Sequence, residues 1–254
     1  MTTILDYPLL LLLPISFASM AAAAWIGGWF AEHRHTIADD SRDDFNVVQA
    51  ATLTLLGLII GFTFSMAVNR YDQRKNLEEE EANAIGTAYL RADLLPEADA
   101  AKVRGILREY AQLRQRSFVT RDRTELVAID DKTAQAQSAL WNAVRAPASA
   151  NPTPLTQLVV VSANDVINSQ GYTQAALWNR IPHAAWLLMG VMALCANFML
   201  GVGAKRPGAE RKLLVVLPFI VACAFFLIGD IDAPRSGVIR VNAQNLDALV
   251  RSLK

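Results

Sequence analysis

The sequence is poor in the residues that build disulfide frameworks and metal centres. It has two cysteines and three histidines among 254 residues, too few for a disulfide-stapled scaffold or a cysteine-rich zinc site. Its 24 basic residues are balanced by 24 acidic ones, so no basic surface points to nucleic acid. Phosphate-binding glycine loops, nucleophile elbows and His-Glu-x-x-His motifs are missing. The sequence therefore gives no support for an enzyme or a cofactor, and a resident metal is not expected.

Long apolar stretches are abundant instead. Hydrophobic residues make up 53% of the chain, and four stretches lack Asp, Glu, Lys and Arg in their apolar centres: residues 7–30, 45–68, 181–202 and 213–229. A helix needs roughly 20 apolar residues to cross a bilayer, so four transmembrane helices are predicted. The first stretch is too long for an ordinary signal peptide and has no basic residue before it. Cys195 and Cys223 fall inside predicted spans, where small packing residues are expected.

The spans divide the chain into two hairpins and a polar insert. Residues 1–68 form the first hairpin, 69–180 the insert, 181–229 the second hairpin and 230–254 a C-terminal segment. An even number of spans places both termini and the insert on one face of the bilayer. Lys and Arg flank the spans on both faces, so the positive-inside rule leaves the orientation open.

The insert is predicted to be helical throughout. The second span continues to about residue 95, and a turn at 96–99 precedes an amphipathic helix whose apolar face carries Val103, Leu107 and Tyr110. A third helix covers residues 122–144, and the prolines of 146–154 predict a loop. A fourth helix begins near residue 155. The fold class is therefore an all-α membrane protein in a 2+2 arrangement.

The second span carries two rows of side chains at four-residue steps. Small residues at Gly57, Gly61 and Ser65 predict close helix packing. The adjacent row of Leu58, Phe62 and Met66 is bulky and apolar, so in an oligomer it could form a hydrophobic constriction that gates ions by dewetting. Ordinary lipid-facing or core packing is the alternative for this row.

Four successive glutamates follow the exit of the second span. In a symmetric oligomer Glu78, Glu79, Glu80 and Glu81, with Asn69 before them, would form rings at a pore mouth that favour cations. The alternative is a solvated helix face, in which Arg74 pairs with Glu78 and Lys75 pairs with Glu79 at four-residue spacing.

Several motifs resemble those of the bacterial bestrophin-like membrane proteins of unknown function and, more distantly, bestrophins. They are the glycine- and phenylalanine-rich second span, the exit RYDQR at 70–74, the run EEANAIGTAYLRADLLP at 80–96, NRIP at 179–182 and DIDAPRSGVIRV at 230–241. Bestrophins are pentameric ion channels in which the second helix lines the pore and the insert is cytoplasmic. The resemblance therefore implies a homo-oligomeric channel in the bacterial inner membrane, with both termini cytoplasmic. The insert here is short, and Asp230 and Asp232 are too few for a calcium cage of about six to eight oxygens.

Two hypotheses follow from the sequence. The first is a passive, cation-favouring channel for inorganic ions, embedded in the lipid bilayer and lined by the second span. The second is a non-conducting scaffold or sensor whose insert binds a partner through the glutamates and four arginines: Arg104, Arg108, Arg114 and Arg116.

Overall fold

The structure, a computed structural model, describes residues 9–33, 41–204 and 214–253. No strand occurs within these ranges, and the prediction of an all-helical protein is confirmed for them. The α-helices are α1 (Leu12–His33), α2 (Arg42–Arg91), α3 (Glu97–Val119), α4 (Arg123–Ala150), α5 (Pro154–Trp178), α6 (His183–Gly203), α7 (Val216–Asp232) and α8 (Gln244–Ser252).

Three helical runs among the described residues are long and apolar enough to cross a membrane. They are Leu12–His33, Arg42–Leu94 and Pro154–Gly203, the last of which joins α5 to α6 across the break at 179–182. The remaining predicted span corresponds to α7, which has 17 residues. At about 1.5 Å per residue α7 is shorter than the roughly 30 Å hydrocarbon core. The count of four spans therefore stays a prediction.

One compact unit comprises Met1–Asn69 and Arg180–Ile239. Its helices α1 and α6 approach so closely that a Cβ added at Gly27 or Gly201 would overlap the backbone of the other helix. Edge-to-face rings fix α7 against α1, with the centroids of Phe17 and Phe219 6.2 Å apart. Many large apolar side chains point outward instead, among them Ile15, Trp25, Leu187 and Ile220. Such an apolar exterior suits contact with lipid or with another membrane helix.

The other unit comprises Arg70–Asn179 and Arg240–Lys254. The second part of α2 packs with α3, α4, α5 and α8 around a core that includes Ile85, Leu140 and Leu246. Val103, Leu107 and Tyr110 are all buried in it, which confirms the predicted apolar face of α3. Asp122 caps α4 by accepting a hydrogen bond from the Thr124 N–H at 2.8 Å.

The predicted start of the loop at residue 146 is wrong. Helix α4 continues through Pro147 to Ala150, and Pro147 is buried with its carbonyl accepting a hydrogen bond from the Asn151 N–H at 3.0 Å. The burial of Pro147 against the rest of the unit thus compensates for the backbone hydrogen bond that proline, which has no N–H, cannot donate. The helix stops before Pro152, and α5 begins at Pro154, where a missing N–H costs little.

Candidate functional site

The predicted constriction residues lie on an outward-facing side of α2. Leu58 is 51% exposed, Phe62 66% and Met66 38%. On the opposite side Leu56 and Ala67 are buried. The bulky row is therefore not needed to close the core of this chain, and it remains available to a pore or to a neighbouring molecule.

The predicted packing row is exposed as well. Gly57, Gly61 and Ser65 all lie on the surface, and a Cβ added at either glycine would meet nothing within 4 Å. The close helix approach within this chain occurs instead at Gly27 and Gly201, which the sequence reasoning missed. The available signal was the run of small residues around Gly27 in the first span, which allows the backbones to touch.

The four glutamates do not share one environment. Glu78 and Glu81 are buried, whereas Glu79 and Glu80 are exposed. Consecutive residues of a helix point about 100° apart, so residues 78 and 81 face the helical core while 79 and 80 face away from it. Asn69 is also exposed.

Glu81 forms a fully buried ion pair with Arg114 of α3. The Arg114 Nε donates a short hydrogen bond to Glu81 Oε1, and both side chains are shielded from solvent. Burial alone would lower the pKa of Arg114, but the Glu81 charge and hydrogen bond outweigh it and raise that pKa. Burial, together with the Glu81 charge, also raises the pKa of the neighbouring Tyr110 phenol above its ordinary value of 10.0. Arg114 Nη1 is buried without a hydrogen-bond partner.

Glu78 holds the N-terminus of α8. Its carboxylate accepts hydrogen bonds from the Leu246 N–H at 2.9 Å and from Asn245 Nδ2 at 2.7 Å. The N-cap residue of α8, Ala243, provides no side-chain acceptor. Glu78 therefore satisfies a helix N–H that would otherwise lack a partner, and its negative charge suits the positive end of the helix dipole.

The arginines of the partner-binding hypothesis are engaged within their own unit. Arg114 is buried against Glu81, Arg104 pairs with Asp93, and Arg116 bonds Glu125 at 2.6 Å. Arg108 donates to the Leu253 carbonyl and to the Tyr89 hydroxyl, each at 2.7 Å. Each of the four arginines therefore has a hydrogen-bond or ion-pair partner within this chain, without a binding partner.

The exit sequence RYDQR contacts the start of NRIP. Arg70 Nη1 donates to Asn179 Oδ1 at 2.5 Å, and Arg74 donates to the carbonyls of Ala176 and Asn179, each at 3.2 Å. Arg74 is buried, so these carbonyls replace the water that its guanidinium loses. Two motifs that are far apart in sequence therefore meet at the C-terminal end of α5.

The motif DIDAP is tied to NRIP through one of its two buried carboxylates, that of Asp232. Asp232 accepts the Ile181 N–H with its two oxygens at 3.1 and 3.3 Å. Asp230 accepts the N–H groups of Val238 and Ile239 at 2.8 and 2.7 Å. A Cβ at Gly237 would overlap the Asp230 carbonyl, so glycine permits the turn after α7. These aspartates stabilise backbone, and the described residues include no cluster of three or more metal-ligating side chains.

Comparison with known proteins identifies the family. A model of the bestrophin-like domain matches residues 18–246, whereas no curated protein sequence matches the chain. The fold is similar to a crystal structure of a bacterial bestrophin homologue from Klebsiella pneumoniae, with 15% identity, 96% of each chain covered and a TM-score of 0.66. A variant of that homologue gives 14% identity, coverage of 96% of this chain and 97% of the other, and a TM-score of 0.65. The chain belongs to the bestrophin-like family and has the bestrophin fold.

Proposed function

We propose that this chain forms an oligomeric ion channel in which α2 of each copy lines a passive pore. The single observation that carries the proposal is the outward bulky row, Leu58, Phe62 and Met66, on a long helix whose other side is packed. Family membership supports it, because bestrophins are ion channels with a pore-lining second helix. A ring of these side chains would make a narrow apolar neck that controls conduction by dewetting.

The small row beside the neck gives neighbouring copies room to approach. Gly57 and Gly61 have open space where a Cβ would stand, and Ser65 continues the row on the exposed surface. In a membrane such small residues allow close contact between helices. We assign this row to contact between copies, with a pentamer as the assembly that the family comparison supports.

The negative charge on α2 beyond the predicted second span favours cations. Glu80 is exposed with Asn69 on the preceding turns, whereas the carboxylates of Glu78 and Glu81 are already bonded within the unit. Rings of exposed carboxylates attract cations to a pore mouth. The apolar centres of the predicted spans hold no Asp, Glu, Lys or Arg, which favours passive conduction over proton-coupled transport.

The proposed location is the bacterial inner membrane, with the insert and both termini in the cytoplasm. The outward apolar residues of the first unit, such as Trp25 and Leu187, would contact lipid.

The test combines the mass of the purified complex with ion flux into liposomes. We expect one oligomeric species whose cation flux rises when Leu58 or Phe62 is replaced by Ala, because a wider and less apolar neck holds water more readily. Leu187→Ala is the matched control. Leu187 is 70% exposed on α6, and its replacement removes the same atoms as Leu58→Ala but from a different helix. It should leave flux unchanged.

A monomer or dimer without flux would reject the channel. That result would direct work to the second hypothesis, a scaffold whose insert binds a partner. Equal effects of Leu58→Ala and Leu187→Ala would reject the neck assignment while leaving conduction in place.

A further inference from the structure

The exposed row on α2 continues well beyond the apolar neck. Helix α2 is continuous, and beyond Met66 it has further exposed residues at intervals of three or four positions. With 3.6 residues per turn these positions share one side of the helix. The side, here called the α2 stripe, is made of Leu58, Phe62, Met66, Asn69, Gln73, Asn76, Glu80, Asn83 and Thr87.

The chemistry of the α2 stripe changes in order along the helix. Three apolar side chains come first, three carboxamides follow at Asn69, Gln73 and Asn76, and Glu80 is the first charged residue. No basic residue occurs on the stripe. Carboxamides offer both donors and acceptors, so they can replace part of the hydration shell of an ion without adding charge.

Only one of the four glutamates belongs to the stripe. Glu78 and Glu81 point into the helical core and are bonded there. Glu79 is exposed but lies about 100° around the helix from Glu80. The exposed carboxylate that shares a side with Phe62 is therefore that of Glu80.

We propose that Glu80 determines ion selectivity, and that Gln73 and Asn76 are neutral steps between it and the neck. This inference rests on the proposed channel function and deepens it, because it names small inorganic cations as the permeant class and one residue as the determinant. In an oligomer Glu80 supplies a single ring of carboxylates, and the amide rings carry cations onward without binding them tightly.

The experiment compares two adjacent charge-neutral variants. Wild type, Glu80→Gln and Glu79→Gln are reconstituted in planar bilayers, and the reversal potential is measured in a potassium chloride gradient. Glu80→Gln should lower the potassium-to-chloride permeability ratio by about tenfold, whereas Glu79→Gln should leave it unchanged. Both residues are exposed, so neither substitution should disturb the fold. The elution volume of each variant in size-exclusion chromatography shows whether it still assembles.

Two further variants test the role of position. Glu80→Asp keeps the charge and should keep the selectivity. Adding Asn76→Glu to Glu80→Gln moves the carboxylate about one turn along the α2 stripe and should restore selectivity. The inference is overturned if Glu80→Gln leaves the reversal potential unchanged, if Glu79→Gln shifts it equally, or if Asn76→Glu does not restore it. An assembled wild type that passes no ion would reject the channel itself.

Discussion

Glu81 and Arg114 illustrate what burial demands of a charged pair. Each has lost its water, and each relies on the other inside the helical core. Replacing Glu81 by Gln leaves the guanidinium buried without a counter-charge. We expect Glu81→Gln to lower the free energy of unfolding by about 3–5 kcal/mol, measured by thermal unfolding in detergent.

The adjacent glutamates provide the control for this prediction. Glu79→Gln and Glu80→Gln remove the same charge from exposed positions and should change stability by about 0.5 kcal/mol or less. A double variant, Glu81→Met with Arg114→Met, should recover most of the stability, because an apolar pair leaves no charge unpaired. An equal loss of stability in Glu79→Gln, Glu80→Gln and Glu81→Gln would contradict the conclusion that the buried Glu81–Arg114 pair stabilises the fold.

Tyr110 makes the stability of the second unit sensitive to alkali. Burial and the Glu81 charge raise the pKa of its phenol above the ordinary value of 10.0, so the folded state keeps the proton longer than the unfolded state does. The contribution of the protonated Tyr110 phenol to the free energy of unfolding is complete below about pH 10 and is lost as pH rises further. Between about pH 9 and pH 11 the thermal midpoint of wild type should therefore fall more than that of Tyr110→Phe.

A parallel decline of the two proteins over that range would argue against a Tyr110 contribution. The buffer, detergent and ionic strength are kept constant, because screening changes the remaining surface charges.

The run of four glutamates also marks the limit of sequence reasoning. The pattern predicts that acidic side chains follow the second span, and Glu79 and Glu80 are exposed there. It does not reveal which carboxylates turn inward, because their partners are Arg114, 33 residues later, and Leu246, 168 residues later. Distant segments decide these environments, and no local spacing encodes them.

Helix α6 depends on a glycine that touches its neighbour. A Cβ at Gly201 would overlap the Ala24 carbonyl, whereas a Cβ at Gly190 of the same helix would meet nothing within 4 Å. Gly201→Ala should therefore force α1 and α6 apart and cost about 1–3 kcal/mol. Gly190→Ala is the matched control and should be neutral or slightly stabilising, because alanine favours helix. Thermal unfolding in detergent measures both effects.

If Gly201→Ala proves as stable as Gly190→Ala, the close approach of α1 and α6 is not required for folding.

Local patterns predicted the elements better than their ends. The apolar spacing of α3 is a property of its own sequence, and its buried face follows that spacing. The extent of α4 was not predictable in this way, because burial of Pro147 against the rest of the unit overrides its local preference. The close approach of α1 and α6 at Gly27 and Gly201 depends on which helices become neighbours, and sequence spacing does not specify that.

The proposed orientation of the whole molecule predicts a labelling pattern. Glu79 is exposed in the second unit, which we assign to the cytoplasm. In a variant whose two native cysteines, Cys195 and Cys223, are replaced by Ala, Glu79→Cys should react with a membrane-impermeant maleimide in inside-out vesicles. It should not react in intact cells. The reverse pattern would contradict the orientation.

The resemblance seen in the sequence identified the family, since the bestrophin-like domain spans residues 18–246. Its separate motifs proved to be structurally connected: Arg70 of RYDQR bonds Asn179, and Asp232 of DIDAP bonds Ile181. The sequence alone could not show that Arg70 bonds a side-chain amide and that Asp232 bonds a backbone N–H. Their chemistry, a guanidinium and a carboxylate, fits a binding site equally well until their partners are known.

The bond between Glu78 and α8 imposes an order on biosynthesis. Leu246 emerges from the ribosome 168 residues after Glu78, a delay on the order of ten seconds or more at ordinary rates of translation. During that interval α6 and α7 are made while the Glu78 carboxylate awaits the helix that it caps. The second unit, which includes residues from both sides of this interval, therefore completes its core only after α6 and α7 have been synthesised.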